Sequence, residues 1–585
     1  MEQSTFCNPV PFSDGMRHTN PDPFVLRWCG LYYCYATDEA GVKVSVSEDL
    51  IHWQDKGYAI RQQGHQNFWA PAVLYDNGIF YLYYSHEPKE ILQLAISHDP
   101  LGPFVWQKQL SELFSIDAHP VLWYGERYLF YASDEWMGCD GDRPGTSILL
   151  DKLRPDGSLD GCPVSVILPD ADAEIFARNR FGDGRDWHTL EGACLLPGAE
   201  HSFLLYSANC YESEDYYVHY AVAENRKDLR EMVWRKQEGP HAAFPLLRRS
   251  EMVEGTGHNT VVQAPDLTHW WIVYHGRPAE EPIIRGTEQR QMYIAPLRVL
   301  GDTLWTPEPS TAPQETPKKP KFYYAQKHLA AQERWEICEM PETAKIETWF
   351  HPQPKHTGVK FSLFLAEQDE QNRLELLFST GRRQMTLWEN WRGIRRCVAQ
   401  KELPRDFAMY VPHLLTVTGR FGEWSICLDG KVNVKAASRL REGKLSAAAY
   451  HSEVVFYGLS VAHCFTLTGS ELAYLTDWLA ISPAELKGAG LYGNQGTLSV
   501  KLGQFSHSEE SLSLHGPGSC MILSSGRILT RIEWNTENIL LCHVCNGNYC
   551  RLFADEKTIW SGDSENHIEL LIENACLHQY SFSGE

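Results

Sequence analysis

A unit of β-hairpins recurs five times between residues 24 and 305. Each copy holds apolar runs of period two that are joined by short turns such as Asp76-Asn-Gly78, the pattern of paired strands. A repeat of about 40 to 50 residues is typical of a propeller. The copies span residues 24–53, 70–106, 117–150, 190–234 and 258–305. The sequence therefore predicts an all-β fold that begins with a five-bladed β-propeller.

The start of the first strand in each copy is of interest, because a propeller places equivalent positions of every blade around one channel. Three of the five positions are acids, Asp22, Asp117 and Glu191, and the others are the segment around Trp69 and His258. Taken singly, each acid is more simply explained by a structural role, in a turn, at the end of a strand or on an exposed surface. Their recurrence favours function, since acids that share one channel repel one another unless protons or cations intervene.

The charge balance limits the expected partners. A formal net charge of -22 without a dense basic stripe argues against nucleic acid and membrane surfaces. No run of about 18 apolar residues occurs, and residues 1–14 lack a secretory signal, so we expect a cytoplasmic protein. The 16 cysteines are scattered, which favours reduced thiols. Cys542, Cys545 and Cys550 cluster, but one Cys-x-x-Cys without a second pair is weak evidence for zinc.

Glycoside hydrolysis needs an acid to protonate the leaving oxygen and a carboxylate to activate water or attack the anomeric carbon. The three acids lie in the motifs Asn-Pro-Asp22-Pro, Ile-Asp117-Ala-His-Pro and Thr-Leu-Glu191-Gly. On these motifs, residues 18–308 resemble glycoside hydrolase family 43. The resemblance implies that Asp22 is the general base, Asp117 tunes and orients the acid, and Glu191 is the general acid of an inverting enzyme.

One departure from the family pattern is Ala193, which stands where proline often follows Glu-Gly. The acids that compete with Glu191 for its role are Glu200, Glu212 and Glu214. The segment Gly255-Thr-Gly-His-Asn resembles a family motif whose histidine often contacts a bound ion or its waters. The resemblance thus makes His258 an ion-associated candidate with structural Ca2+ nearby, although no cofactor is required for the chemistry.

Five further residues are expected to contact the oligosaccharide substrate. Arg290 matches a family arginine that faces the pocket, where a guanidinium holds a carboxylate ionised or binds sugar hydroxyls. Phe68 and Trp69 precede the second inner strand and form a candidate stacking wall, with blade packing as the alternative. His86 follows a strand of the second copy, and Trp187 precedes the acid motif.

Two β-domains are expected after the propeller of residues 1–310. Residues 311–322 are Pro-rich and polar, as in a linker. Residues 323–464 contain alternating runs and a strand and turn, Trp424 to Lys431, that resemble a concanavalin-like β-sandwich. Residues 465–585 change pattern and predict a third, smaller β-domain. These domains bind carbohydrate, shape the pocket rim or mediate homo-oligomers, and the sequence does not separate the three.

The sequence thus favours an inverting exo-glycosidase that acts on terminal pentoses of plant cell-wall oligosaccharides, with α-L-arabinofuranosidase ahead of β-D-xylosidase. A relative that acts on galactofuranosides or galactan stays open. The alternative of another class is a propeller lectin without turnover.

Overall fold

Strands and turns make up almost all of the regular structure. The computed structural model describes residues 5–138, 141–198, 200–237, 245–284, 287–300, 303–354, 358–468, 472, 484–487, 490–493, 497–502, 507–524, 527–535, 538–546, 549–554, 557–563, 568–573 and 575–584. In these residues the helical elements are two 3-10 turns, Asp172–Glu174 and Leu229–Glu231, which confirms the predicted all-β class. The same ranges contain no helix with the length and apolarity that a membrane crossing requires.

Five antiparallel sheets of four strands each, here called sheets I to V, follow one another along the described chain before residue 306. In each sheet the strands pair in sequence order, as in successive hairpins. The strands are Phe24–Trp28, Leu31–Ala36, Val42–Ser47 and Trp53–Ile60 in sheet I; Gln66–Asp76, Ile79–Glu87, Ile91–Ser97 and Val105–Gln109 in sheet II; Ile116–Trp123, Glu126–Ser133, Ser147–Lys152 and Val164–Ile167 in sheet III; Leu190–Leu196, His201–Ala208, Tyr217–Glu224 and Arg235–Lys236 in sheet IV; and Val253–Gln263, Trp270–Pro278, Gln291–Leu300 and Thr303–Trp305 in sheet V.

The five sheets close into a ring. The first strand of each sheet contacts the first strand of the next, and the first strand of sheet V contacts that of sheet I. A separate apolar core fills each junction between neighbouring sheets. Tyr35 and Phe68 meet between sheets I and II, for example, and Val273 and Val25 meet between sheets V and I. The starts of the five first strands therefore meet around one central channel.

A small hairpin and a strap accompany the ring. Ile175–Ala177 pairs with Trp187–His188 in the connection between sheets III and IV. The predicted linker of residues 311–322 contains the short strand Gln314–Glu315, which pairs with Thr5–Phe6. The Pro-rich segment is thus fastened to the N-terminal residues of the ring.

The next sheets pack face to face. One sheet has the order Arg334–Met340, Gly443–Ala449, Lys360–Glu367, Arg373–Ser379, Gln384–Trp391 and Ile394–Glu402. The facing strands have the order Val432–Ala437, Glu423–Leu428, His413–Arg420, Thr343–Pro352 and Val454–Thr468, with Phe322–Leu329 also paired to the last of these. Alternate residues of both sheets, such as Phe361 and Ile426, form one apolar core between them.

The strand Val454–Thr468 continues beyond this core and joins the last β-region to it. Its second half pairs with Cys576–Gly584, so the predicted boundary between residues 464 and 465 lies inside one strand. The sheet continues through His507–His515, Asn538–Asn546, Tyr549–Ala554 and Lys557–Asp563, and Ala484–Lys487 and Gly490–Gly493 attach at its side. A second sheet has the order Thr497–Leu502, Ile568–Glu573, Gly518–Ser524 and Arg527–Trp534, and both enclose an apolar core.

The β-sandwich contacts hairpin turns at the far ends of first strands in the ring. Arg27, at the end of the first strand of sheet I, forms a buried ion pair of 2.6 Å with Glu347. In the turn that follows, Gly30 approaches Gly458 so closely that a Cβ on Gly30 would lie 2.5 Å from the Gly458 Cα. Asp76, before the corresponding turn of sheet II, pairs with Lys431. These contacts leave the opposite face of the ring, where the first strands start, to the loops of the ring itself.

One cysteine departs from the sequence expectation. Cys545 is disulfide-bonded, which corrects the prediction that the thiols are reduced throughout. Cys542 is free and buried, and the side chain of Cys550 lies outside the described residues. No group of three or more potential metal ligands occurs in the described chain.

Candidate active site

The first strand of every sheet has the same irregularity at its start. In sheets II to V the pairing with the second strand shifts at this point, as in a β-bulge. Each sheet has a residue with a positive φ at the equivalent position: Asp22 at 53°, Ala70 at 41°, Asp117 at 59°, Gly192 at 61° and His258 at 44°. For a residue with a side chain this conformation costs about 1–3 kcal/mol, and such strain clusters at functional sites.

The backbone N–H of such a residue needs a partner from outside its own ladder, and at four of the five positions the preceding sheet supplies it. Around the ring, the acceptors are side chains at the ends of second strands or, at one junction, the first-strand residue Asp117. The bonds run from Ala70 N to Thr37 Oγ1 at 2.9 Å, from Gly192 N to Asp117 Oδ2 at 3.1 Å, from His258 N to Ser207 Oγ at 2.7 Å and from Asp22 N to His275 Nδ1 at 3.2 Å. These bonds hold the strand starts at the channel.

Asp22 lies buried in a cationic and polar surrounding. Its Oδ1 accepts a hydrogen bond from Arg290 NH1 at 3.0 Å, and its Oδ2 accepts one from Thr37 Oγ1 at 2.6 Å. Burial alone would raise the pKa of Asp22, but the charge of Arg290, with contributions from His258 and His275, holds this pKa well below its usual value. Asp22 is therefore a carboxylate over the whole physiological pH range.

The pKa values of the other two acids are shifted in the opposite direction, upwards. Burial, together with the charges of Glu191 and Asp22, raises the pKa of Asp117 well above its usual value. Burial raises the pKa of Glu191 to about 7; the negative charge of Asp22 adds to this, and a hydrogen bond from Tyr216 opposes it. One permanently ionised acid thus lies near two acids that retain protons, the division that acid–base catalysis requires.

The backbone of sheet IV places its acid one residue away from the repeat position. The residue with positive φ is Gly192, so Glu191 precedes the position that Asp22, Asp117 and His258 occupy. The Gly192 N–H binds Asp117, and Tyr216 OH donates to Glu191 Oε1 at 2.7 Å. Asp117 therefore fixes the backbone beside Glu191, while Tyr216 fixes its carboxyl group.

His258 lies between the two aspartates. Its Nδ1 is 3.5 Å from Asp22 Oδ1 and 3.6 Å from Asp117 Oδ2. Burial lowers the pKa of His258 despite the opposing charge of Asp22, so the imidazole is neutral at physiological pH. The described residues offer no group of three or more His, Cys, Asp or Glu ligands, so these side chains do not fit a direct Ca2+ cage. The buried amide of Asn259 has no hydrogen-bond partner in the structure, which suits a bridging water.

Arg290 connects the site to an open cavity. Its Nε and Nη2 donate to Glu288 at 2.9 and 2.7 Å, and its guanidinium carbon lies 4.9 Å from the centre of the Tyr211 ring. A cavity of about 170 Å³ is lined by these residues and by Ile283 and Ile284, which are about half exposed. The cavity combines apolar and charged walls beside Arg290, whose guanidinium binds the Asp22 carboxylate.

The remaining predicted substrate residues lie at different depths. Phe68 is completely buried and packs on Tyr84, so its ring offers no surface to a sugar in this structure. Trp69 is partly exposed and directly precedes Ala70 at the channel. His86 is buried, with its ring 4.1 Å from that of His65.

Trp187 is partly exposed in the hairpin between sheets III and IV. Its ring lies 5.3 Å from the guanidinium of Arg180 and 5.2 Å from the Phe181 ring. Trp187 and Trp69 are thus the two predicted aromatic residues with accessible surface on the side where the first strands start.

Several side chains of the site were not identified from the sequence, among them Thr37, His275, Tyr216 and Glu288. Thr37 and His275 sit at the ends of second strands, so aligning the second strands of the repeats would have indicated them. Tyr216 and Glu288 lie in connections between strands of the fourth and fifth copies, where no periodic signal exists.

The chain was compared with known proteins. A family model, Glycosyl hydrolases family 43, matches residues 10–302, half of the chain. A probable arabinan endo-1,5-alpha-L-arabinosidase C of Aspergillus clavatus is 33% identical over 89 residues, which are 14% of this chain and 28% of that protein. A putative beta-xylosidase of Xylanibacter ruminicola is 28% identical over 100 residues, 15% of this chain and 19% of that protein. The matched stretches thus span less than a third of either curated relative.

Among solved structures, a thermostable family-43 glycoside hydrolase is 31% identical, with a TM-score of 0.46. The match covers 54% of this chain and 100% of that one.

Proposed function

Because the chain belongs to glycoside hydrolase family 43, we propose that it is an inverting exo-glycosidase that removes terminal pentoses from plant cell-wall oligosaccharides. The observation that carries this proposal is the division of charge among the acids. Asp22 is held ionised by Arg290, whereas Glu191, with a pKa of about 7, keeps a proton that it can deliver.

The proposed reaction is a single displacement at the anomeric carbon. Asp22 takes a proton from a water molecule as that water attacks, and Glu191 gives its proton to the glycosidic oxygen as the bond to the leaving group breaks. Asp117 acts through Glu191, because its carboxyl holds the Gly192 N–H directly beside the acid. Room for the water requires the Asp22 and Glu191 carboxyls to be about 6.5–9.5 Å apart.

For the sugar we propose α-L-arabinofuranosides ahead of β-D-xylosides. The names of the two curated relatives, an arabinan arabinosidase and a putative xylosidase, support a pentose without ordering the two. Exo action is supported by the burial of Asp22 and Asp117 where the first strands start around the central channel.

A panel of 4-nitrophenyl glycosides tests the proposal. The panel contains α-L-arabinofuranoside, β-D-xyloside and β-D-galactofuranoside, each assayed with the wild type and with Glu191→Gln. We expect turnover of a pentoside that Glu191→Gln slows. Binding of sugar without hydrolysis of any member would instead favour a propeller lectin, and preference for arabinan polymer over arabinobiose would contradict exo action.

A further inference from the structure

Tyr216 has the closest polar contact with the proposed acid. It directly precedes the third strand of sheet IV, is almost completely buried, and donates its hydroxyl proton to Glu191 Oε1 at 2.7 Å. Burial raises the pKa of Tyr216 well above its usual value, and the neighbouring acids add to this rise. The hydroxyl therefore keeps its proton and acts only as a donor towards Glu191.

Two features of sheet V fix the Tyr216 ring. The ring stacks on the fully buried His275, with ring centres 5.7 Å apart and an angle of 7° between the planes. The ring also occupies the space beside Gly257, where a Cβ would lie only 1.8 Å from Cε1 of Tyr216. The second glycine of the Gly-x-Gly-His motif thus has a specific packing reason, because only a residue without a side chain leaves room for this ring.

The contact determines where the acid carries its proton. In a neutral carboxyl group the carbonyl oxygen is the better acceptor, so the bond from Tyr216 to Oε1 favours the form of Glu191 that carries its proton on Oε2. The same bond strengthens when Glu191 becomes a carboxylate, since hydrogen bonds to charged acceptors are stronger than bonds to neutral ones. The contact with Tyr216 thus places the transferable proton on Oε2 and also stabilises the carboxylate that remains after the proton has been transferred.

We propose that Tyr216 is a positioning residue that keeps the transferable proton of Glu191 on Oε2, with Gly257 and His275 holding its ring in place. This inference rests on the proposed role of Glu191 as the general acid. It goes beyond that role because it assigns the direction of proton delivery to a residue outside the three acids.

The test compares Tyr216→Phe with the wild type across a series of substituted phenyl glycosides of the sugar that the panel identifies. Loss of the donor raises the pKa of Glu191, so the basic limb of the kcat/KM profile is expected to move up by about one pH unit. The kcat is expected to fall about tenfold for poor leaving groups, which need protonation, and to change little for dinitrophenolate, with KM nearly constant.

Tyr83→Phe is the matched control, because it removes a buried tyrosine hydrogen bond of 3.0 Å from sheet II to Gly157 O, which lies between the third and fourth strands of sheet III. Its pH profile is expected to match the wild type. An unshifted basic limb in Tyr216→Phe, or an equal loss for all leaving groups, would overturn the inference. If Tyr216→Phe does not fold, Gly257→Ala decides by the same readout, since its added Cβ displaces the ring.

Glu191→Gln separates this inference from the proposed function. Full activity of Glu191→Gln on poor leaving groups would contradict the proposed acid itself. A loss confined to poor leaving groups in Glu191→Gln, together with an unshifted profile in Tyr216→Phe, would overturn only the role of Tyr216.

Discussion

Replacing Arg290 by glutamine is expected to move the acidic limb of the kcat/KM profile to higher pH. In the wild type, Arg290 NH1 is 3.0 Å from Asp22 Oδ1, and both side chains are about nine-tenths buried. Solvent therefore screens this pair weakly. His258 and His275 cannot replace the lost charge, because burial lowers the pKa of both, that of His275 to about 4.

The size of the effect follows from the contact. An opposite charge at this distance lowers a carboxyl pKa by about 1–3 units, so its removal raises the pKa of Asp22 by a similar amount. Each unit corresponds to about 1.4 kcal/mol. Because the folded pKa of Asp22 lies below its unfolded value, this stabilisation is present above the unfolded pKa and is lost as the pH falls through the folded one. The variant loses it, so a lower Tm is also expected at neutral pH.

The assay is the pH dependence of kcat/KM on the 4-nitrophenyl pentoside for the wild type, Arg290→Gln and Arg290→Lys. The lysine variant retains a positive charge but lacks the planar guanidinium that also binds Glu288. Its acidic limb is therefore expected to lie between those of the wild type and Arg290→Gln. An acidic limb that stays at the wild-type position in Arg290→Gln would refute the assignment of Asp22 as the base that Arg290 keeps ionised.

Three further outcomes are expected. Glu191→Gln should lower kcat/KM for poor leaving groups by about 100- to 10,000-fold, the usual contribution of general acid catalysis, and equal loss for dinitrophenyl substrates would contradict this role. Trp69→Ala should raise KM, because the Trp69 ring is accessible at the channel. Phe68→Leu should lower the free energy of unfolding by about 1–3 kcal/mol, and with it Tm, but leave KM nearly unchanged, because Phe68 is fully buried. The reverse pattern in steady-state kinetics and thermal unfolding would contradict the burial argument. Chelation with EDTA should leave kcat unchanged, since no step uses a metal ion, and a loss that added Ca2+ restores would show otherwise.

The repeat made the ring and its acids accessible to sequence reasoning. Asp22, Asp117 and His258 share one backbone conformation at the start of their strands, so a repeat alignment finds them together. Glu191 was found from the same alignment although Gly192 holds the equivalent conformation. A displacement by one residue changes the direction of a side chain on a strand, and only the backbone reveals it.

Contacts that cross between repeats were less predictable. Tyr216 precedes a third strand and Glu288 lies in a connection, so neither belongs to a repeating pattern. Phe68 and Trp69 look alike in sequence, but alternation along the strand places the first in the core and the second at the channel. No sequence pattern indicates that the strand Val454–Thr468 is shared by the β-sandwich and the last β-region, because the strand runs through without a turn that would mark a boundary.

The configuration of the first product tests the central claim most directly. Proton NMR during early turnover of a pentoside distinguishes the anomers before mutarotation mixes them. If Asp22 activates water while Glu191 protonates the leaving oxygen, the released sugar has the inverted configuration. A first product with retained configuration would require a covalent intermediate and would contradict the account.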